Sequence, residues 1–160
     1  MKRAFAIFTL AMTPALAQVA NEPTISADAA LEALNAALKQ CRTDGQKVSV
    51  TVVDAAGRVK ASLRDDGAAP HTAEHSMRKA YTALSYKTPS SEYGKRAQEA
   101  KGVAIGPQLL PNITTAAGGI PIRVNNAVIG AIGVSGTPSE GGGGAHDAKC
   151  AEAGAAKIAK

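Results

Sequence analysis

The feature that constrains the fold most is a pair of β-rich runs, Ile120–Val124 and Ala127–Ser135, separated only by the dipeptide Asn125–Asn126. Asparagine tolerates the positive φ angles that a two-residue hairpin turn requires, so the sequence predicts a β-hairpin here. The second run is apolar at nearly every position, which is typical of a central strand. Gly130 and Gly133 interrupt it, and a glycine inside a strand marks a place where another group approaches the backbone closely. We therefore expect a helix or a ligand to press against this strand.

The segments around the hairpin predict an α+β fold. Apolar side chains recur at helical spacing in some segments, and runs of β-branched residues form others. The predicted order is a helix, two strands, two helices, three strands and a helix, with approximate bounds at residues 26–45, 47–54, 58–63, 72–87, 90–101, 113–116, 120–124, 127–135 and 145–160. This order predicts a five-stranded, mostly antiparallel sheet with flanking helices.

Residues 1–17 have the pattern of a secretory signal peptide. Lys2 and Arg3 precede an apolar run, and Ala15-Leu16-Ala17 supplies a cleavage site with small residues. The apolar run of about nine residues is too short to span a bilayer. We expect cleavage before Gln18, which leaves residues 18–160 as a single domain in the periplasm or outside the cell. No second apolar segment of this kind follows, so we expect no membrane association after cleavage.

The composition argues against a nucleic-acid partner. The chain has 18 basic and 13 acidic residues, and removal of the leader takes away two of the basic residues and both phenylalanines. The rest of the chain has no tryptophan and only three tyrosines as aromatic residues. Proteins that bind nucleic acids need a concentrated basic patch or stacking aromatics. We therefore expect no binding to nucleic acid.

Cys41 and Cys150 are the two cysteines, and one lies on each of the terminal predicted helices. In an oxidising compartment, paired thiols usually end as a disulfide. We predict a bond between Cys41 and Cys150, which requires the first and last helices to pack side by side. Two separate buried thiols are the alternative.

The glycine-rich hairpin motif Gly118–Gly136, together with Val50–Gly57 and Lys79–Ala83 upstream, resembles the GlcG/HbpS-like family of haem-binding proteins. The resemblance extends over residues 29–158. It implies a profilin-like version of the α+β fold and haem as the cofactor. Because relatives are oligomeric, it also implies a homo-oligomer.

The predicted helix over residues 72–87 has two unlike faces. At about 100° per residue, one face carries apolar side chains and the other carries polar ones. The apolar face consists of Ala73, Met77, Ala80 and Leu84, and the polar face of His75, Arg78, Lys79, Thr82 and Tyr86, with His71 just before the helix. We look for chemistry on the polar face; a solvated basic surface with exposed histidines is the alternative.

His71 and His75 place two imidazoles four residues apart, a spacing that can put two metal ligands on one helical face. The pattern is not His-Glu-x-x-His, so a zinc hydrolase is not supported. Haem needs an axial ligand, cationic groups for its propionates and an apolar wall. One of the histidines with Arg78 and Lys79 offers the first two, and we favour His75 because it lies inside the helix. The alternative axial ligands are Tyr81 and Tyr86.

Ser135 follows Gly133-Val134 and precedes Gly136, which resembles part of a nucleophile elbow. Thr137 occupies the place of the final glycine of Gly-x-Ser-x-Gly, so the motif is incomplete. A triad of Ser135 with His146–Asp147 is therefore not favoured. A serine in a turn at the end of a strand is the more common role.

Three hypotheses for function follow. The first, from the family resemblance, is an exported protein that captures or buffers haem, with slow degradation of haem as an added activity of some members. The second is a non-enzymatic structural or partner-binding oligomer without a cofactor, because Ile120–Val134 offers little for catalysis. The third is an enzyme or accessory protein acting on a small carboxylate, which rests on relatives from glycolate operons. We name no catalytic residue.

Overall fold

The computed structural model describes residues 21–100, 110–138 and 144–159. The predicted leader, residues 1–17, lies outside these ranges. The helices are α1 (Ala27–Thr43), α2 (His71–Tyr86), α3 (Ser90–Glu99) and α4 (Ala145–Ile158), and the strands are β1 (Ser49–Asp54), β2 (Val59–Arg64), β3 (Gly119–Val124) and β4 (Ala127–Ser135). The predicted α+β class is confirmed.

The strands pair in one antiparallel sheet in the order β2-β1-β4-β3. Strands β1 and β4 are central, and every residue of β1 is buried. Strands β3 and β4 form a hairpin whose turn residues Asn125 and Asn126 have φ angles of 48° and 65°. The predicted hairpin and the central position of its second strand are therefore confirmed.

The prediction of a fifth strand at residues 113–116 is wrong for the described chain, which contains four strands. The backbone of this segment bonds to side chains of the helices and not to a neighbouring strand. The Thr114 N–H donates to Thr82 Oγ1 at 3.0 Å, and Ser90 Oγ donates to the Ala116 carbonyl at 2.7 Å. Because these backbone groups already have hydrogen-bond partners, the segment does not need to pair with a neighbouring strand.

Helices α1 and α4 cover one face of the sheet, and α2 covers the other. The main core lies under α1 and α4, where β1 and β4 contribute Val50, Val52, Ile132 and Val134. Alternate residues of the same strands point towards α2. That second layer has a smaller apolar cluster, made of Val53, Ala80, Ala83 and Ala131.

Helix α2 lies unusually close to β4 because of Gly133. A Cβ atom at this position would lie 2.0 Å from the Ser76 carbonyl oxygen. Hydroxyl pairs bridge the two layers: Ser49 Oγ lies 2.7 Å from Thr72 Oγ1, and Thr51 Oγ1 lies 2.8 Å from Ser76 Oγ. The close approach that the strand glycine predicted is thus made by a helix.

The face of α2 that packs on the sheet is not the predicted apolar stripe. Of the four stripe residues only Ala80 is fully buried, whereas the polar residues Thr72, Ser76, Lys79 and Thr82 are buried. The glycine backbone of β4 leaves too little space for large apolar side chains, and hydroxyl groups find partners in the gap. Two residues of the predicted polar face, Lys79 and Thr82, are therefore interior.

Cys41 and Cys150 form a disulfide with an S–S distance of 2.10 Å, and both side chains are fully buried. Helices α1 and α4 pack side by side around it. Gly154 permits this contact, since a Cβ atom there would lie 2.7 Å from the Ala33 carbonyl oxygen. The predicted disulfide and the predicted helix pairing are both confirmed.

Candidate functional site

The first turns of α2 border two adjoining hollows. The outer pocket has a volume of about 300 Å³ and is lined by His71, Glu74, His75 and Arg78. The inner cavity, of about 290 Å³, lies between α2, the end of β4 and the start of α4. His71 and His75 line both, because residues four apart share one side of a helix.

His75 is half-buried, and the protein contacts both of its ring nitrogens. Ser135 Oγ lies 3.2 Å from Nδ1, and Thr114 Oγ1 lies 3.4 Å from Nε2. Burial lowers the pKa of His75 below the usual range, and the positive charge of Lys79 lowers it further. The imidazole is therefore neutral near pH 7, with one nitrogen able to bind a metal.

Lys79 and Asp147 form an ion pair inside the protein. Lys79 Nζ lies 2.7 Å from Asp147 Oδ2, and the two side chains are 2% and 4% exposed. Burial lowers the pKa of Lys79, and the negative charge of Asp147 opposes this shift. Of the two cations named from the sequence, Lys79 is thus placed in the inner cavity, next to a carboxylate.

Arg78 borders the outer pocket and is partly exposed. Its Nη2 donates to the Glu74 carboxylate one turn earlier in the helix. Its Nε atom is buried and has no hydrogen-bond partner among the described residues. Arg78 therefore offers the outer pocket both a positive charge and an unused N–H donor.

Tyr86 lies on the same side of α2 as His75 but about 16 Å along the helix axis, since eleven residues separate them. Its ring stacks on that of Tyr93, with centroids 4.0 Å apart and planes 20° from parallel. Burial raises the pKa of Tyr93 to about 12. The structure therefore does not bring Tyr86 together with the histidines.

Tyr81, the other alternative ligand, lines a separate distal pocket of about 500 Å³ near the end of α2. Leu84 and Val128 form part of its wall, and Lys87 and Arg123 contribute cations. Arg123 is held in place because its Nη2 donates to the Lys87 carbonyl. Tyr81 and the two histidines thus belong to different hollows.

The residues considered for a hydrolase triad do not contact one another as a triad. His146 is exposed, and Asp147 pairs with Lys79. Ser135 instead contacts His75, a pairing that sequence reasoning missed. One signal in the sequence could have predicted this contact. Side chains alternate between the two faces of a strand, so Ser135 must face the same side of the sheet as Gly133, which faces α2.

No group of three or more His, Cys, Asp or Glu side chains that could hold a metal ion occurs in the described part of the chain. His71 and His75 therefore have no third protein ligand of these types there. Among the same residues, none of the helices combines the length and apolar character needed to cross a bilayer.

Over residues 25–156 the chain matches the family described as haem degrading protein HbpS-like. The chain belongs to this family. It is similar to the crystal structure of a double mutant of HbpS from Streptomyces reticuli, with 36% identity, 91% of this chain and 97% of that chain covered, and a TM-score of 0.79. The resemblance read from the glycine-rich hairpin is therefore confirmed.

Two further relatives bear on function. The crystal structure of a PduOC–haem complex is 26% identical, with 84% of this chain and 95% of that chain covered and a TM-score of 0.74. The protein GlcG of Escherichia coli strain K12 is 32% identical over 97 residues, which are 61% of this chain and 70% of that protein. One protein similar to this chain has thus been solved in complex with haem.

His75 and Arg78, two of the four residues that line the outer pocket, are of types that haem uses, although none of the four is apolar. His75 is a neutral imidazole, the form that binds iron, and Arg78 carries an N–H without a partner among the described residues, which suits a propionate. Haem, where bound, supplies the iron and the redox chemistry. The chain's own residues would orient the ligand nitrogen and neutralise the carboxylate.

Proposed function

We propose that this protein binds haem at the outer pocket, with His75 as the axial ligand and Arg78 as the partner of a propionate. The observation that carries the proposal is the half-buried, neutral His75 imidazole, held between two hydroxyl groups at the mouth of a pocket. Membership of the HbpS-like family and similarity to a protein solved in complex with haem support the choice of ligand.

The two ring nitrogens of His75 have different roles in this proposal. The Nδ1–H group donates a hydrogen bond to Ser135 Oγ, which fixes the orientation of the ring and its tautomer. Nε2 then carries the lone pair, and its contact with Thr114 Oγ1 is long at 3.4 Å. A contact of that length is weak, so the ring gives it up readily for a bond to iron.

Haem binding is tested by titrating haemin into the purified protein and following the Soret band. We expect a shift that saturates at one haem per chain. Arg78→Ala should weaken binding by about 1 to 3 kcal/mol, the usual value of a hydrogen bond to a charged group. The position of the band should not change, because Arg78 does not touch the iron.

Arg96→Ala is the matched control, since Arg96 is exposed on α3 and lines neither hollow. It should bind haem as the unaltered protein does. Equal haem affinities of the Arg78 and Arg96 variants would show that Arg78 does not bind the propionate. A Soret band that does not shift with the unaltered protein would contradict haem binding itself.

We also propose that the protein is exported and buffers haem outside the cytoplasm. The support is the sequence of residues 1–17, with its basic start, apolar run and small-residue cleavage site. Protein recovered from the periplasm or the medium should begin at Gln18, which N-terminal sequencing checks. A product that stays in the cytoplasm and keeps Lys2 at its start would contradict export.

A further inference from the structure

The inner cavity contains a buried cation with too few acceptors. The Lys79 ammonium group has three N–H donors, and its side chain is 2% exposed. Among the described residues it donates one hydrogen bond, to Asp147 Oδ2. A buried donor without an acceptor is unfavourable, so the remaining donors call for oxygen atoms within the cavity.

A second unused polar group lines the same cavity. Thr137 Oγ1 is buried and has no hydrogen-bond partner among the described residues. The hydroxyl of Ser135, also on the wall, contacts His75 Nδ1 and no other polar side chain in the described ranges. Lys79, Thr137 and Ser135 therefore line the same cavity from α2, the loop after β4 and the end of β4.

The carboxylate on the cavity wall already has hydrogen-bond donors. Asp147 Oδ2 accepts from Lys79, and Asp147 Oδ1 accepts from the Thr137 N–H at 3.1 Å. Thr72 Oγ1 donates to the Ala69 carbonyl at 2.6 Å and pairs with Ser49. The ammonium group of Lys79 can only donate, and the Thr137 hydroxyl can donate as well. An occupant that satisfies these donors must carry acceptors.

We propose that the inner cavity binds a small molecule that carries a carboxylate group, which accepts hydrogen bonds from Lys79 Nζ and Thr137 Oγ1. A cavity of about 290 Å³ holds a short-chain acid, since one water molecule takes up about 30 Å³ of liquid. The walls contributed by Ala69, Ala116 and Gly136 are small and leave room for a chain of a few carbon atoms.

The carboxylate can come from two sources. One is a free short-chain organic acid, and the other is a propionate of haem bound in the adjoining outer pocket. The chemistry of the cavity is the same for both, and the free-acid source does not depend on the proposed haem function. Burial lowers the pKa of Lys79, and a bound anion would oppose that shift.

The test is isothermal titration calorimetry of the haem-free protein with acetate, propionate and malonate, and with acetamide as the uncharged counterpart of acetate. We expect saturable binding of at least one of the acids at one per chain and none of acetamide. Thr137→Val keeps the shape of the side chain but removes the hydroxyl, and it should weaken binding at least tenfold.

Thr43→Val is the matched control, because Thr43 is exposed near the end of α1, outside the cavity. It should bind the acid as the unaltered protein does. Lys79→Met combined with Asp147→Leu removes both charges together and should abolish binding; circular dichroism checks that this variant folds. If it does not fold, Thr137→Val decides the question alone.

Three results would overturn the proposal. These are no saturable binding of any of the three acids, equal binding of acetamide, and equal affinity of the Thr137 and Thr43 variants; the first would mean that water alone fills the cavity. A final titration uses haemin-loaded protein. Loss of acid binding there assigns the carboxylate to a haem propionate, and unchanged binding assigns it to a free acid. Failure of haemin to bind leaves the acid titrations intact.

Discussion

Gly133→Ala is expected to destabilise the protein by about 3 to 5 kcal/mol, more than the roughly 1 to 3 kcal/mol that overpacking typically costs. The added Cβ would lie 2.0 Å from the Ser76 carbonyl oxygen and 2.6 Å from the Ala80 nitrogen. Both are backbone atoms of α2, which no rotamer change can move. The helix must therefore lift from β4, and the hydroxyl pairs between the layers would break.

Urea denaturation followed by circular dichroism measures this effect. Gly45→Ala is the control, since it makes the same chemical change where no atom lies within 4 Å of the new Cβ. Its φ of 73° disfavours alanine, at a cost of about 1 to 2 kcal/mol. Equal losses for the two variants would show that the contact between α2 and β4 is less close than described.

Reduction of the Cys41–Cys150 disulfide is expected to lower the free energy of unfolding by about 4 to 5 kcal/mol, the entropy of closing a loop of this length in the unfolded chain. The two cysteines are 109 residues apart in the sequence. Both are fully buried between α1 and α4, so the reduced thiols would sit in the same core. The loss should therefore come chiefly from the unfolded state.

Denaturation with and without reductant measures this loss. The double variant Cys41→Ala, Cys150→Ala is the control, because its stability should not respond to reductant. The oxidised protein should also weigh about two daltons less than the dithiol, by the loss of two hydrogens. An unaltered protein whose unfolding is insensitive to complete reduction would contradict the prediction.

The parts of the fold that the sequence predicted correctly depend on local patterns. Asn125–Asn126 between two apolar runs specifies a turn whatever surrounds it, and the hairpin follows. Gly133 predicts that another group approaches the strand backbone closely, but it does not predict which element makes this contact. The disulfide was predictable because a chain with a predicted export signal and two cysteines offers one pairing.

The errors depend on contacts between distant segments. Residues 113–116 have strand-like composition, but their backbone bonds to Thr82 and Ser90, which lie 32 and 26 residues away. In the sequence, apolar residues of the first helix recur at helical spacing at Ala27, Leu31, Leu34 and Leu38. Leu31 is nevertheless 51% exposed, because the alanines of α1 pack against α4 in its place. The periodicity of apolar residues predicts that a helix has an apolar face, but it does not predict which element packs against that face.

The sequence predicted the part of the candidate site that lies on one helix, and it did not predict the contacts between distant segments. The spacing of His71 and His75 along a helix is visible in the sequence, and both line the same hollows. The partners of the site are not visible: Ser135 is 60 residues from His75, and Asp147 is 68 residues from Lys79. The packing of β4 beneath α2 brings Ser135 to His75, and the start of α4 brings Asp147 to Lys79.

The central proposal, that His75 binds the iron of haem, is tested most directly by the absorption and electron paramagnetic resonance spectra of haem-loaded variants. His75→Ala should change the spectrum of the iron, because the axial nitrogen is lost. His71→Ala should leave it as in the unaltered protein, since His71 is exposed at the first residue of α2. An unchanged spectrum in both variants and in their double mutant would contradict the proposal and direct the search to Tyr81 in the distal pocket.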